Sequence, residues 1–542
     1  MGESRGGTAR AAWADGLTAA GLVATALLVL GVPGVGIVRS LAMLGLGAAL
    51  DAAGTVVGPL VVSALTAAGI GVLAAAIGVP IGWVIASAGR IRALAVVLLM
   101  PLVLPQTIAF AGWGVLRSPE TMLGNAIVGA AQDGARWLPI VVSRGLAVLG
   151  LAFWAAPLAG VVQAVAFAST PRALIEQGRL SSPSVLRRWA LLMRVHAGAI
   201  GLSAAVVGML MLGSAVPLHL SNLPTHATVI WLELTETSLA ERGRVWAAAS
   251  PAVLLAGVLA VAMVASMSHA VRGSVARGDQ VAGGLGVRAS GGAVGLACAA
   301  WCCAFLVPVL LLAVTVRDWA VVFRFPRFHA DAVWSSLATS GVVGVLVLLV
   351  GVACGRAFGS PRRFARVAAW LVFGALLATA LTPGVLIGAA MNTAYGSLGG
   401  SSGGSFGGSL GSVSVILSML ARFGVLGAFA GLWMAWREDA SLRADGALHV
   451  RDTVRAWWVF VLSRRLLLPV GAAIASACLT LHEIEASVMV RPPGPDNLAR
   501  LMLDALHFAR MDELAAVILL VAAAAAPIAA AGMWAVLASS RK

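Results

Sequence analysis

The sequence predicts an all-α polytopic membrane protein made of two similar bundles of about six transmembrane helices in tandem. Three observations lead there. Of the 542 residues, 60% are hydrophobic and only 11% are charged, with a mean hydropathy of +0.96. A soluble chain of this length has no interior able to hide that much apolar surface. Next, Gly16–Val38, Ala252–Met267, Leu468–Leu481 and Leu514–Leu537 are long or uncharged enough to read as bilayer spans. Finally, the chain repeats itself. Ser63–Gly82 overlays Ser336–Gly355 at a fixed offset (336 − 63 = 273), which aligns Ser63/Ser336, Thr66/Thr339, Gly71/Gly344, Gly78/Gly351 and Gly82/Gly355. The offset is about half the chain, so the repeated unit is a whole domain. The shared glycines fall on one helix face, at a spacing that lets backbones approach closely in lipid.

Hydropathy places spans near 16–38, 57–88, 91–115, 139–168, 195–217 and 248–268, and again near 293–316, 334–358, 367–391, 412–437, 467–490 and 513–538. The first domain is therefore 1–268 and the second 291–542. Between them, 269–290 is polar, glycine-rich and basic, and reads as a cytoplasmic linker. Gly396–Ser412 is a low-complexity run of glycine and serine. It has no lysine, no strand before it and no GxGxxG register, so it reads as a flexible loop and not a phosphate cradle.

The net charge of +15 invites a nucleic-acid reading that its distribution excludes. Arginines gather in alternate short connections: Arg90 and Arg92, Arg172 to Arg194, Arg272 to Arg288, Arg356 to Arg366, and Arg437 to Arg465. That alternation is the positive-inside pattern, and it puts these loops and both termini in the cytoplasm. Gly16–Val38 is too long for a signal-peptide core and reads as a retained first helix. Lys542 is the only lysine, so no P-loop and no lysine Schiff-base chemistry is expected of this chain. The cysteines (Cys298, Cys302, Cys303, Cys354, Cys478) lie in apolar stretches without metal-ligand spacing, and read as small buried side chains.

Two long basic loops, Ser169–Arg194 and Arg437–Arg465, each precede the fifth span of their half. The first carries Ile175-Glu176-Gln177-Gly178-Arg179, Ser182-Pro183-Ser184 and Arg187-Arg188-Trp189. The second carries Leu442-Arg443-Ala444-Asp445-Gly446-Ala447, followed by Leu468-Pro469. Near the C-terminus stand Leu481-His482-Glu483-Ile484-Glu485-Ala486 and Val490-Arg491-Pro492-Pro493-Gly494-Pro495-Asp496-Asn497-Leu498. With these stretches the chain resembles the fused two-domain permease subunit of an ATP-binding-cassette importer. The nearest group is the iron(III) type, with related thiamine and polyamine permeases. The loops look like worn copies of that family's E-A-A-x-x-x-G coupling helix. The C-terminal stretch is similar to its K-E-L-P-A-T…L-R-P-P-G-F-D-T-L segment, with His482 replacing the lysine.

The resemblance implies a multi-pass protein of a bacterial inner membrane that imports ferric iron or an iron complex. It implies a cytoplasmic ATPase dimer holding the ATP and magnesium, an external substrate-binding protein, and no cofactor in this chain. Glu176, Gly178, Arg179, Arg187, Arg188, Asp445, Gly446, Leu468 and Pro469 would then couple to the ATPase. His482, Glu483, Glu485, Pro492 and Pro493 would line the outer end of the path.

Read without the resemblance, Glu483 supports two alternatives. Counted from Leu468 at about 1.5 Å per residue, it lies roughly 22 Å along its span. Either it faces a cavity or partner, as costly intramembrane carboxylates do, or the span ends early and it faces outer water. His482-Glu483-x-Glu485 lacks the i, i+4 histidine partner of a zincin helix, and a resident metal set is not expected. No catalytic constellation stands out. Glu438-Asp439 and Arg451-Asp452 with Arg455 read as solvated loop charges or ion pairs, or, on the coupling reading that the resemblance implies, as groups that meet the ATPase. The stretch Asn222–Arg244, with His226, Glu233, Glu236 and Glu241, reads equally as an outer docking loop or a solvated one. The rivals are an ion-coupled secondary transporter with two six-helix halves and a membrane enzyme acting on lipid-linked substrates.

Overall fold

The computed structural model describes residues 3–87, 93–168, 170, 176–177, 180, 184–236, 242–276, 290–395, 407–436, 457–490, 497–508 and 510–539. Among the described residues the chain is helical, with no β-strand. Among the described residues, eight helices are long and apolar enough to cross a membrane: Trp13–Leu44, Val57–Ala86, Leu138–Ala168, Arg242–His269, Gly291–Thr315, Ala330–Gly359, Arg363–Leu381 and Val413–Trp436. A ninth candidate is bent by 70° at His196, between Trp189–Val195 and Ala197–Leu212.

The helices used below are α1 (Glu3–Ala26), α2 (Val32–Leu44), α3 (Leu46–Thr55), α4 (Val57–Ala86), α5 (Ala93–Leu98), α6 (Gln106–Gly114), α7 (Met122–Gln132) and α8 (Leu138–Ala168). They continue as α9 (Val185–Val195), α10 (Ala197–Leu212), α11 (Val216–Leu220), α12 (His226–Glu236), α13 (Arg242–Ala276), α14 (Gly291–Trp301), α15 (Val307–Thr315) and α16 (Trp319–Phe328). The remainder are α17 (Ala330–Gly359), α18 (Arg363–Leu381), α19 (Gly384–Tyr395), α20 (Gly407–Trp436), α21 (Leu467–Leu481), α22 (Ile484–Met489), α23 (Leu498–His507) and α24 (Met511–Ser539).

Two compact units form. One comprises Met1–Thr55, Glu233–Gln280 and Asp331–Arg500; the other comprises Val56–Leu232, Val281–Ala330 and Leu501–Lys542. Each draws on both sides of the 269–290 segment. In the first unit, α1 and α13 pack on α18; in the second, α14 packs on α4, and α24 on α5 and α16.

The sequence repeat returns contact by contact, because each shared glycine meets the same neighbour in its own unit. A Cβ at Gly78 would lie 2.8 Å from the Ala156 carbonyl, and one at Gly351 3.0 Å from the Gly427 carbonyl (427 − 156 = 271). Gly82 meets Gly160 as Gly355 meets Gly431, and Gly71 meets Ala204 as Gly344 meets Ala473. Only glycine allows helices this close. The aligned serines also share a role. Ser63 Oγ accepts from the His226 backbone N–H at 2.6 Å, and Ser336 Oγ accepts from that of Leu498 at 2.9 Å. Each satisfies the first orphan donor of a short helix, α12 or α23.

Both first spans carry the same defect. One turn widens over Leu27–Gly31 before Pro33, and over Cys302–Leu306 before Pro308. The proline has no N–H to donate, and its ring crowds the carbonyl four residues back, so the helix opens locally. In the first copy the only tyrosine of the chain answers the disturbed backbone: Tyr395 Oη donates to the Leu28 carbonyl at 2.7 Å.

Several expectations need correction. The span expected over 91–115 is three pieces: α5, a tight turn at Met100–Val103, and α6. Pro101 and Pro105 break it by removing donors and restricting the residues before them. The span over 367–391 breaks at Thr382-Pro383, and that over 467–490 ends as a helix at Leu481. The helix expected to end near 268 runs on to Ala276; residues 277–289 of the linker lie outside the described residues. Asn222–Arg244 is not a solvated loop throughout, since α12 occupies His226–Glu236 and buries His226, Ala227, Ile230 and Leu234. Of Gly396–Ser412, the portion from Gly407 begins α20; 396–406 lie outside the described residues.

Candidate functional site at a pair of broken helices

In the unit containing α17–α22, two helix breaks come together. At the first, α18 ends at Leu381 and Pro383 prevents its continuation, so the Thr382 carbonyl has no helical partner. At the second, α21 ends at Leu481, and Glu483 starts α22 as its N-cap, accepting from the Ala486 N–H at 3.3 Å. Gly384, the first residue of α19, makes the approach possible. A Cβ there would lie 2.8 Å from Glu483 Oε1 and 3.0 Å from Glu485 Cβ. One turn on, Gly388 rests against the Ala486 carbonyl, and Asn392 Nδ2 donates to the Met489 carbonyl at 3.1 Å.

Arg422, from the middle of α20, ties the two breaks. Its Nη1 donates to the Thr382 carbonyl at 3.0 Å, and its Nη2 lies 3.6 Å from Glu483 Oε1. The two side chains are only 12% and 10% exposed. His482 and Glu485 are buried beside them, at 8% and 4%. The sequence left open whether these acids face outer water, and their burial excludes that. The arrangement can hold a largely buried charge pair and change its pairing if either break moves. Arg422 and Gly384 are absent from the sequence-derived site. The available signal was a lone arginine inside the apolar stretch 412–436, where such a group marks a function or a partner.

The other unit contains a neutral version. There Pro105 follows the break, and the Leu104 carbonyl accepts instead from Trp154 Nε1 at 2.8 Å, from α8. Transferring the repeat offsets, Leu151 stands for Arg422 (422 − 271 = 151) and Ser214 for Glu483 (483 − 269 = 214); both are buried. Just beyond, in α11, the His219 ring stacks at 6.3 Å on His507 and meets Trp231 at 6.0 Å. Burial, and then the neighbouring His507, hold the His219 imidazole below its ordinary pKa.

The remaining expected residues are scattered or undescribed. Glu176 is exposed on a short helical turn, and Arg187 is exposed on α9, which also contains Arg188. Leu468 and Pro469 open α21, where Pro469 packs against Gly351. Gly178, Arg179, Asp445, Gly446, Pro492 and Pro493 lie outside the described residues, as do Glu438-Asp439 and Arg451-Asp452. Among the described residues, no group of three or more His, Cys, Asp or Glu side chains is placed to hold a metal ion. No family model matches the chain, and neither a curated protein nor a solved structure matches it.

Proposed function

We propose that this chain is the transmembrane permease of a transport system, with two similar bundles of about six helices in tandem that carry substrate across the bilayer by alternating access. The observation that carries this reading is the pair of helix breaks, present in both repeats and charged in one. Non-helical backbone at membrane depth persists only where protein buries it or a water-filled cavity accepts it, and transport proteins place their paths at such discontinuities. On this reading Arg422, Glu483 and Glu485 gate the path, with His482 beside them.

The energy source follows from the family resemblance. A separate ATPase dimer docks on the loops around Glu176 and Asp445, hydrolyses ATP there, and drives import of ferric iron or its complex from an external binding protein. The chain itself then needs no cofactor and is not an enzyme. It sits in a bacterial inner membrane with both termini cytoplasmic. A second reading, an ion-coupled carrier with two six-helix halves, is favoured by the buried Arg422–Glu483 pair, because ion coupling needs charge at membrane depth.

Isolation of the tagged chain in mild detergent, followed by mass spectrometry and an ATPase assay, separates the two. The importer reading expects a stoichiometric nucleotide-binding subunit whose activity an external protein raises. It also expects transport to fall to background in the Glu176→Lys, Asp445→Lys double variant, with membrane insertion intact. Finding the chain alone, or full transport by the double variant, overturns that reading.

A further inference from the structure

We infer that the groove between α1 and α18 is a binding site for an anionic phospholipid. It is an open surface groove of about 880 Å³, lined by Ala19, Ala20 and Val23 from α1 and by Phe364, Val367 and Leu371 from α18, with Arg362 and Arg363 at one end. Small side chains on α1 leave the space, and the larger ones opposite form its apolar wall.

Length and charge together select the occupant. From Arg362 to Leu371 the groove follows nine residues of helix, about 14 Å at 1.5 Å per residue. That is close to the depth of one leaflet, about half of the ~30 Å hydrocarbon core. An acyl chain therefore fits along the wall while its headgroup stays at the arginine end. That end is built for an anion. Arg362 is the N-cap of α18, and its side chain makes no cap bond, so the positive end of a 19-residue helix dipole lies at the same end as the two arginines.

Of the nearby arginines, Arg356 is spent on the buried Asp15, donating to Oδ1 at 3.0 Å, and Arg362 is partly so, with Nε 3.7 Å from Oδ2. Ser360 Oγ donates to the same carboxylate at 3.0 Å and fixes the turn. Arg363 is exposed and pairs with no described carboxylate. A lipid phosphate supplies the missing negative charge, and a zwitterionic choline lipid supplies it less well because its own cation competes. The site stands apart from the helix breaks, so the inference does not rest on the transport reading.

The test is native mass spectrometry of the full chain in neutral detergent, titrated with phosphatidylglycerol, phosphatidylcholine or inorganic phosphate. Phosphatidylglycerol should be retained at least about fivefold more tightly than phosphatidylcholine, the scale of one interfacial arginine. Arg363→Gln should remove about that factor, and Arg363→Lys should keep it. Arg366→Gln, on a helix face that does not line the groove, should change it less than twofold. Ala20→Trp, which fills the groove with every arginine intact, should lower phosphatidylglycerol retention in a chain whose tryptophan-monitored melting is unchanged. Equal retention of the two lipids overturns the proposal. So does an equal loss in Arg366→Gln and Arg363→Gln, or displacement of the lipid by millimolar phosphate.

Discussion

The two helix breaks solve one backbone problem with different chemistry. In each, a proline leaves the preceding carbonyl without a helical donor, and the following long helix supplies a side chain to bond it. Trp154 does so for Leu104 with a neutral indole, and Arg422 does so for Thr382 with a guanidinium. The neutral donor needs no further partner. The charged one does, because an uncompensated cation is costly away from water, and Glu483 answers it 3.6 Å away. Capping the carbonyl thus explains a donor at each break but not the charge at one of them. The surplus charge is what sets the α18–α22 region apart as the candidate site.

The largest expected effect tests that separation. Arg422→Ala strands Glu483 and frees the Thr382 carbonyl, and should destabilise the protein by about 3–5 kcal/mol. Arg422→Leu with Glu483→Ser, which imitates the Leu151 and Ser214 of the other unit, should recover much of that loss while abolishing any function that needs the pair. Thermal unfolding in detergent with a double-mutant cycle reads the coupling. A double variant that keeps full function would reduce the charge pair to a structural cap.

A smaller loss is expected for Trp154→Phe. It removes the indole donor and keeps most of the packing, at about 1–3 kcal/mol for a buried carbonyl left without its neutral donor. A loss as large as that of Arg422→Ala would erase the distinction between the breaks.

The smallest effect is one of pH. His219 has a folded-state pKa below its ordinary value of 6.5, so the unfolded chain takes up the proton first as pH falls. Stability contributed by neutral His219 is therefore full above about pH 6.5 and declines as pH drops toward the folded pKa. The pH dependence of melting, followed by tryptophan fluorescence, should flatten in His219→Asn. An unchanged slope would assign the titration to other groups.

How far the sequence carried is clearest residue by residue. Ser63 and Ser336, aligned from the repeat alone, perform the same cap in three dimensions, because the donor at the other end is a backbone N–H that any non-proline residue supplies. His482, Glu483 and Glu485 stood out because charge inside an apolar stretch is conspicuous. Arg422 belongs to the same class of signal, but its partner lies 61 positions along the chain (483 − 422). No local pattern links such positions. The breaks were missed for a different reason: hydropathy averaged over a span measures burial in lipid without registering the backbone continuity that Pro101, Pro105 and Pro383 interrupt.

What the sequence determined by itself is the membrane environment, the helical class and the repeat. All three follow from composition, from the need to bond every backbone group inside lipid, and from residue identity at fixed offsets. Only the tertiary structure decided which helices share a unit, which side chain bonds each broken carbonyl, and where the arginine-headed groove opens. An apolar span offers nearly the same surface to any neighbour, so its partner is settled by close packing at a few glycines and by bonding at a few polar atoms. Those atoms become neighbours only once the chain has folded.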